Sequence, residues 1–193
     1  LHHAFPPVGA GSGRKVRELL IRMAELPDIQ VDFVTISDQP VYQSRTFGDR
    51  ITTHHLNVYK TGASRLTAAE LFEYQAKSFI FTLRTARKID YSLIHALGSF
   101  PECFTAYAFR GRFPYVLSRL PEDQAVADGM TGGHAEGLNS LVREFARAAA
   151  RVFDHRRETS ALDPARAAAA YGAAYRELLS RRKIRSRRRP TSR

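Results

Sequence analysis

Apolar residues fall at two spacings along the first 120 positions, and the switching between them predicts alternating helices and strands. Val16, Leu19, Leu20 and Met23 recur at helical spacing. The Pro27-Asp28 turn signal follows, then the β-branched run Val31-Asp32-Phe33-Val34-Thr35-Ile36. Residues 38–50 read as loop, and Ile51 to Tyr59 carries a weaker strand pattern. Thr67 and Glu70 then form a capping box, with Leu66 and Leu71 placed to staple it. Phe72, Ala76, Phe79, Leu83 and Ala86 continue as one apolar stripe of that helix. Tyr91 to Ala96 reads as a buried strand. Ser99 and Glu102 offer a second capping box, opening a short helix with Phe104, Tyr107 and Ala108, and Phe113 to Ser118 is a further strand. Strands alternating with helices predict an α/β fold, a doubly wound parallel sheet with helices on both faces.

The pattern changes near residue 120. Pro121-Glu122-Asp123 and Gly129 to Gly137 make a polar, glycine-rich join, and nothing after Ser118 reads as a strand. Leu138, Leu141, Val142, Phe145, Ala149, Val152 and Phe153 form a helical stripe. Asp163-Pro164 reads as an N-cap followed by proline at the first helical position. Tyr171, Ala174, Tyr175 and Leu178 then face one way. There is no internal repeat.

Composition narrows the classes. The chain has 193 residues and 44% hydrophobic content, enough for an ordinary core. Basic residues outnumber acidic ones 30 to 19, for a net +11. Eight of those basic residues lie in the last thirteen positions, from Arg181 to Arg193, and setting them aside leaves +3. The body is therefore only mildly basic, and residues 181–193 read as a disordered basic tail. That tail has no aromatic residue for base stacking, so nucleic acid is not an expected partner. An anionic membrane surface suits it better, each charge contributing ~1 kcal/mol there. Cys103 is the single cysteine, which excludes an intrachain disulfide, suits a reducing compartment and reads as a small buried residue. No apolar run reaches membrane-spanning length. Abundant Ala and Arg with little Lys point to a GC-rich bacterial source.

The candidate chemistry gathers at the start. Leu1-His2-His3-Ala4 reads as the end of a strand, so the chain is expected to begin inside its first strand, as a fragment or a processed product. Gly9-Ala10-Gly11-Ser12-Gly13 then runs straight into a helix that opens with Arg14 and Lys15. Glycines let the backbone approach a ligand, and free N–H groups at a helix start attract anions. A phosphate-bearing ligand such as a nucleotide is the first expectation. The stretch lacks the Gly-Lys-Ser/Thr end of a P-loop and is not Gly-x-Gly-x-x-Gly. Asp38, at the end of the second strand, keeps a dehydrogenase-like reading open. His95 falls at the carboxyl end of a central strand, where open α/β sheets bind ligands. Its imidazole suits a hydrogen bond to a sugar hydroxyl, and equally suits satisfaction by the backbone. His2-His3 and His54-His55 have no carboxylate at ligand spacing, so no metal is expected. Glu70, Glu102 and Glu144 read as surface or capping residues.

Residues 1–125 resemble the N-terminal, acceptor-side half of family 4 glycosyltransferases, which have the GT-B fold. The residues that carry this are the loop Gly9–Gly13, the helix Val16 to Met23 and the strand Val31 to Ile36. With them go Asp90-Tyr91-Ser92-Leu93-Ile94-His95-Ala96 followed by Gly98 and Pro101, and Pro114-Tyr115-Val116-Leu117-Ser118. Residues 126–180 resemble the closing turn and helices of the same family, through Val126-Ala127-Asp128-Gly129-Met130-Thr131-Gly132 and the helices after it. The glutamate pair and basic residues of that family's donor half have no counterpart here. The resemblance implies a Rossmann-like domain of a retaining glycosyltransferase, moving a sugar from a nucleoside-diphosphate sugar to a sugar or lipid-linked acceptor. It implies Gly9, Ala10, Gly11, Ser12, Gly13 and Arg14 at the phosphates and acceptor, and His95 near the transferred sugar as the catalytic candidate. No cofactor beyond the nucleotide-sugar co-substrate and no metal are implied. Without a donor half the chain is expected to be inactive alone, and to be cytoplasmic or peripheral to the inner membrane face. Two other readings stand beside this one: a non-catalytic α/β binding module anchored by its basic tail, and a small nucleotide-binding oxidoreductase.

Overall fold

A computed structural model describes residues 1–3, 5–6, 12–58, 66–120, 133–155 and 163–187. The elements run α1 (Ser12–Ala24), β1 (Val31–Ile36), β2 (Gln43–Phe47), β3 (Ile51–Leu56), α2 (Ala68–Thr85), β4 (Ile94–Leu97), α3 (Glu102–Ala108), β5 (Tyr115–Arg119), α4 (Gly133–Ala148), β6 (Arg151–Asp154) and α5 (Pro164–Arg187).

The strands form two three-stranded sheets, ordered β1-β3-β2 and β4-β5-β6. All pairings are parallel except β2 on β3, which is antiparallel. Residues Leu1 to His3 lie between the two sheets and join them. The His2 N–H donates to the Val34 carbonyl at 3.1 Å on one side, and the Leu97 N–H to the Leu1 carbonyl at 2.9 Å on the other. The Leu1 ammonium donates to the His95 carbonyl at 2.8 Å. The result is one surface in the order β2-β3-β1, Leu1–His3, β4-β5-β6. The chain winds outward through β1 and β3, crosses back to β4, and winds outward the other way. That is the doubly wound, Rossmann-like α/β fold, and its direction reverses between Leu1–His3 and β4.

Strand pleating sends alternate residues to opposite faces. Phe33, Ile51, Leu97 and Val116 face Val16, Leu19, Leu20 and Met23 of α1, together with Ala167, Ala168, Tyr171 and Tyr175 of α5. Ala96, Tyr115 and Leu117 face Cys103 and Ala106 of α3 and Phe145 of α4. Val34, Ile36 and Leu56 meet Tyr74 of α2. Each such large apolar side chain contributes about 1.5–3 kcal/mol by leaving water.

Local signals held where they bear on a single helix end. The Thr67–Glu70 capping box closes, with Glu70 N–H donating to Thr67 Oγ1 at 3.3 Å and Thr67 N–H to Glu70 Oε2 at 2.6 Å. Asp163 Oδ1 accepts from the Ala165 and Arg166 amides at 3.0 and 3.2 Å. Cys103 is buried.

Five sequence expectations are corrected. Residues 38–50 hold β2, a polar strand at the sheet edge, where a solvated face and charge are usual. A strand does follow Ser118: Val152 and Phe153 belong to β6, because the Ala150 N–H is taken by the Tyr115 carbonyl at 2.8 Å and draws the chain onto β5. The buried face of α2 is Glu70, Leu71, Tyr74, Ser78 and Thr82, while Phe72 and Phe79 are 59% and 37% exposed. Ser99 and Glu102 make no capping box, since Pro101 is the N-cap of α3 without a side-chain bond, and Glu102 turns inward. Residues 181–187, expected as part of a disordered tail, are helical instead, because the last helix, α5, continues through Arg187. Residues 188–193 lie outside the described residues.

Candidate functional site

The reversal point of the sheet places three carboxyl termini side by side: β1 at Ile36, the Leu1–His3 segment, and β4 at Leu97. Thr35 Oγ1 donates to the His3 carbonyl at 3.2 Å, tying the first two together. The chain leaves this edge after His3 and returns as α1. Of the loop candidates, Gly9, Ala10 and Gly11 lie outside the described residues. Ser12 opens α1, Gly13 is buried in its first turn and Arg14 is exposed beside it. No acidic residue stands in that first turn, so nothing there offsets the pull of its free N–H groups on an anion.

At this reversal point His2, His3 and Glu102 lie close together. His2 is 2% exposed and Glu102 fully buried. Glu102 Oε1 accepts from the His3 amide at 2.7 Å and from His3 Nδ1 at 2.6 Å. His2 Nδ1 donates to the Leu97 carbonyl at 2.5 Å. Burial works to raise the Glu102 pKa, but the charges of His3 and His2 and the His3 hydrogen bond hold it below the usual carboxylate range. Burial pushes His2 down to about 3, so its ring is neutral. Sequence spacing missed this cluster because Glu102 is brought in from 99 residues away. Its capping pattern with Ser99 pointed elsewhere.

His95 is placed differently. It is the second residue of β4, and its ring turns toward α5. Nδ1 accepts from the Tyr175 hydroxyl, and Nε2 meets Ser118 Oγ at 2.8 Å. Ser118 Oγ donates to the Tyr171 hydroxyl at 2.8 Å, and His155 Nε2 meets that hydroxyl at 3.0 Å. Because the serine proton goes to Tyr171, His95 Nε2–H must be the donor to Ser118. Desolvation, then the neighbouring N-terminal and His155 charges, hold His95 well below its ordinary pKa. Burial raises Tyr175 well above its own. The ring is therefore neutral and satisfied by side chains, not by the backbone. His95 also lines a cavity of about 710 Å³ at the amino ends of β1 and β4, with Leu1, Val31, Phe33, Tyr91 and Tyr175. Of the described loop candidates, Ser12, Gly13 and Arg14 do not line it.

Among the described residues, no helix is long and apolar enough to cross a membrane. No protein-family model matches this sequence, and no curated protein is similar to it. A solved chain of a sucrose-phosphate synthase from Thermosynechococcus elongatus is similar in structure, with a TM-score of 0.55 and 18% identity. The match covers 84% of this chain and 93% of that one. At that identity the likeness is one of fold.

Proposed function

We propose that this chain is the acceptor-side domain of a retaining glycosyltransferase, which moves a sugar from a nucleoside-diphosphate sugar to an acceptor hydroxyl. The observation that carries the reading is the acid-free start of α1, preceded in sequence by Gly9-Ala10-Gly11, in a fold like that of a sucrose-phosphate synthase. The amides of Gly9 to Gly13 cradle phosphate oxygens, and the exposed Arg14 guanidinium adds a charge to them. Catalysis of this kind rests on positioning and on stabilising the departing diphosphate, and needs no side-chain nucleophile from this domain. His95 enters as a positioning residue: through Ser118 and Tyr175 it fixes α5 against β4 and β5. The residues that grip the donor in family 4 glycosyltransferases are absent from this sequence, so the chain binds ligand without turning it over.

The test is a panel of nucleoside-diphosphate sugars and sugar phosphates, each mixed with the chain and followed for melting temperature and for release of nucleoside diphosphate. The expected result is a rise in Tm with members of the panel, no rise with NAD, and no release. A rise with NAD alone points instead to the oxidoreductase reading, and rapid release contradicts the assigned division of labour.

A further inference from the structure

The His2–His3–Glu102 cluster holds two buried acceptors that receive no hydrogen bond. His2 Nδ1 gives its proton to a backbone carbonyl, so the neutral ring leaves Nε2 as a lone pair. That atom is buried and makes no hydrogen bond. Glu102 Oε2 is likewise buried and unpartnered, while Oε1 holds His3. Leaving such buried groups without a donor is unfavourable, more so for a charged one. A proton satisfies one of them at a time. A cation is a partner that both kinds of acceptor can take.

We propose that His2, His3 and Glu102 form a binding site for a borderline divalent cation of the zinc type. One ring nitrogen from each histidine and one Glu102 oxygen lie within 4.8 Å of one another, close enough for small side-chain rotations to bring them to a common ion. Two imidazoles and a carboxylate are donors that select Zn²⁺, Co²⁺ or Ni²⁺ over Mg²⁺ and Ca²⁺, which need a shell of oxygens. One supporting bond is also that of a metal site. Metal-bound histidines give their other ring N–H to a backbone carbonyl or a carboxylate. His2 gives its Nδ1–H to the Leu97 carbonyl in this way. Three protein ligands leave one position open, and His3, whose side chain is 21% exposed, marks the way in. The ion staples the Leu1–His3 segment to the first turn of α3, across the reversal point of the sheet. This site does not depend on the sugar-transfer reading, since its ligands lie outside the loop.

The test uses the untagged, metal-free chain. Titration with Zn²⁺ is expected to give one tight site and a higher Tm, with Mg²⁺ giving neither. Co²⁺ is expected to give visible d–d absorption and to displace the NMR signals of the His2 and His3 rings selectively. That readout needs no variant. Glu102→Gln keeps the shape of the side chain and is expected to weaken Zn²⁺ binding by at least about 100-fold, beyond the loss seen when only an outer partner is removed. His54→Gln, at the separate His54–Asp32 pair, is expected to leave binding unchanged. No Zn²⁺ site in the unmodified chain, Co²⁺ signals at other histidines, or full affinity in Glu102→Gln each overturns the proposal.

Discussion

His95 keeps both ring nitrogens in hydrogen bonds inside the fold, and desolvation holds its pKa well below the ordinary 6.5. The consequence for stability has a definite sign. Unfolded, the ring takes a proton near pH 6.5, whereas folded it does so only well below that. Between the two values the unfolded chain binds more protons, so stability rises with pH. Its contribution is complete above pH 6.5 and is lost as pH falls beneath it. Urea midpoints across that range should drop on the acid side, with a flat region near neutrality. Ser118→Ala removes the acceptor of His95 and the donor to Tyr171 together, and should cost about 1–3 kcal/mol in the same measurement. At this scale the sequence was half readable. The position of His95 on a strand followed from Tyr91 to Ala96, but its partners did not, because Ser118 and Tyr175 are 23 and 80 residues away.

Among the elements, α2 separates what periodicity can say from what it cannot. Both Phe72-Ala76-Phe79 and Leu71-Tyr74-Ser78-Thr82 keep helical spacing, and apolar content favours the first. The fold buries the second, because Tyr74 reaches the Val34 carbonyl and Ser78 reaches Thr105. Substitutions distinguish the two faces. Phe72→Gln should shift stability by no more than about 0.5 kcal/mol, as exposed positions do. Tyr74→Ala should cost about 3–5 kcal/mol, as the loss of a fully buried aromatic does. Chemical denaturation of both variants checks this, and the reverse order would put the wrong face in the core. The same logic explains β6. Val152 and Phe153 continue the spacing of Phe145 and Ala149, so local pattern favours helix, and only pairing with β5 makes them strand. Elements ended by their own side chains, such as the Thr67 cap of α2, were legible. Those whose ends depend on distant partners were not.

For the whole molecule, the alternation of strands and helices made the doubly wound α/β class legible, while the edge strands β2 and β6 and the strand order came only from pairing. The basic cluster bears on a different property. We propose that residues 181–193 draw the domain to anionic lipid. Sedimentation with phosphatidylserine vesicles should recover the chain at low salt and release it at high salt, and a chain ending at residue 180 should stay in solution. Equal sedimentation of both would remove the tail from the account. The described residues on either side of the loop that carries the functional proposal are Leu1–His3, at the reversal point, and the start of α1. The most direct measurement is amide NMR of the isotope-labelled chain during titration with uridine diphosphate glucose, other nucleoside-diphosphate sugars and sugar phosphates. The account predicts saturable shifts confined to Gly9, Gly11, Gly13, Arg14 and their neighbours, reduced in Arg14→Glu. Loop amides that stay still while every phosphate ligand in the series is added would contradict it.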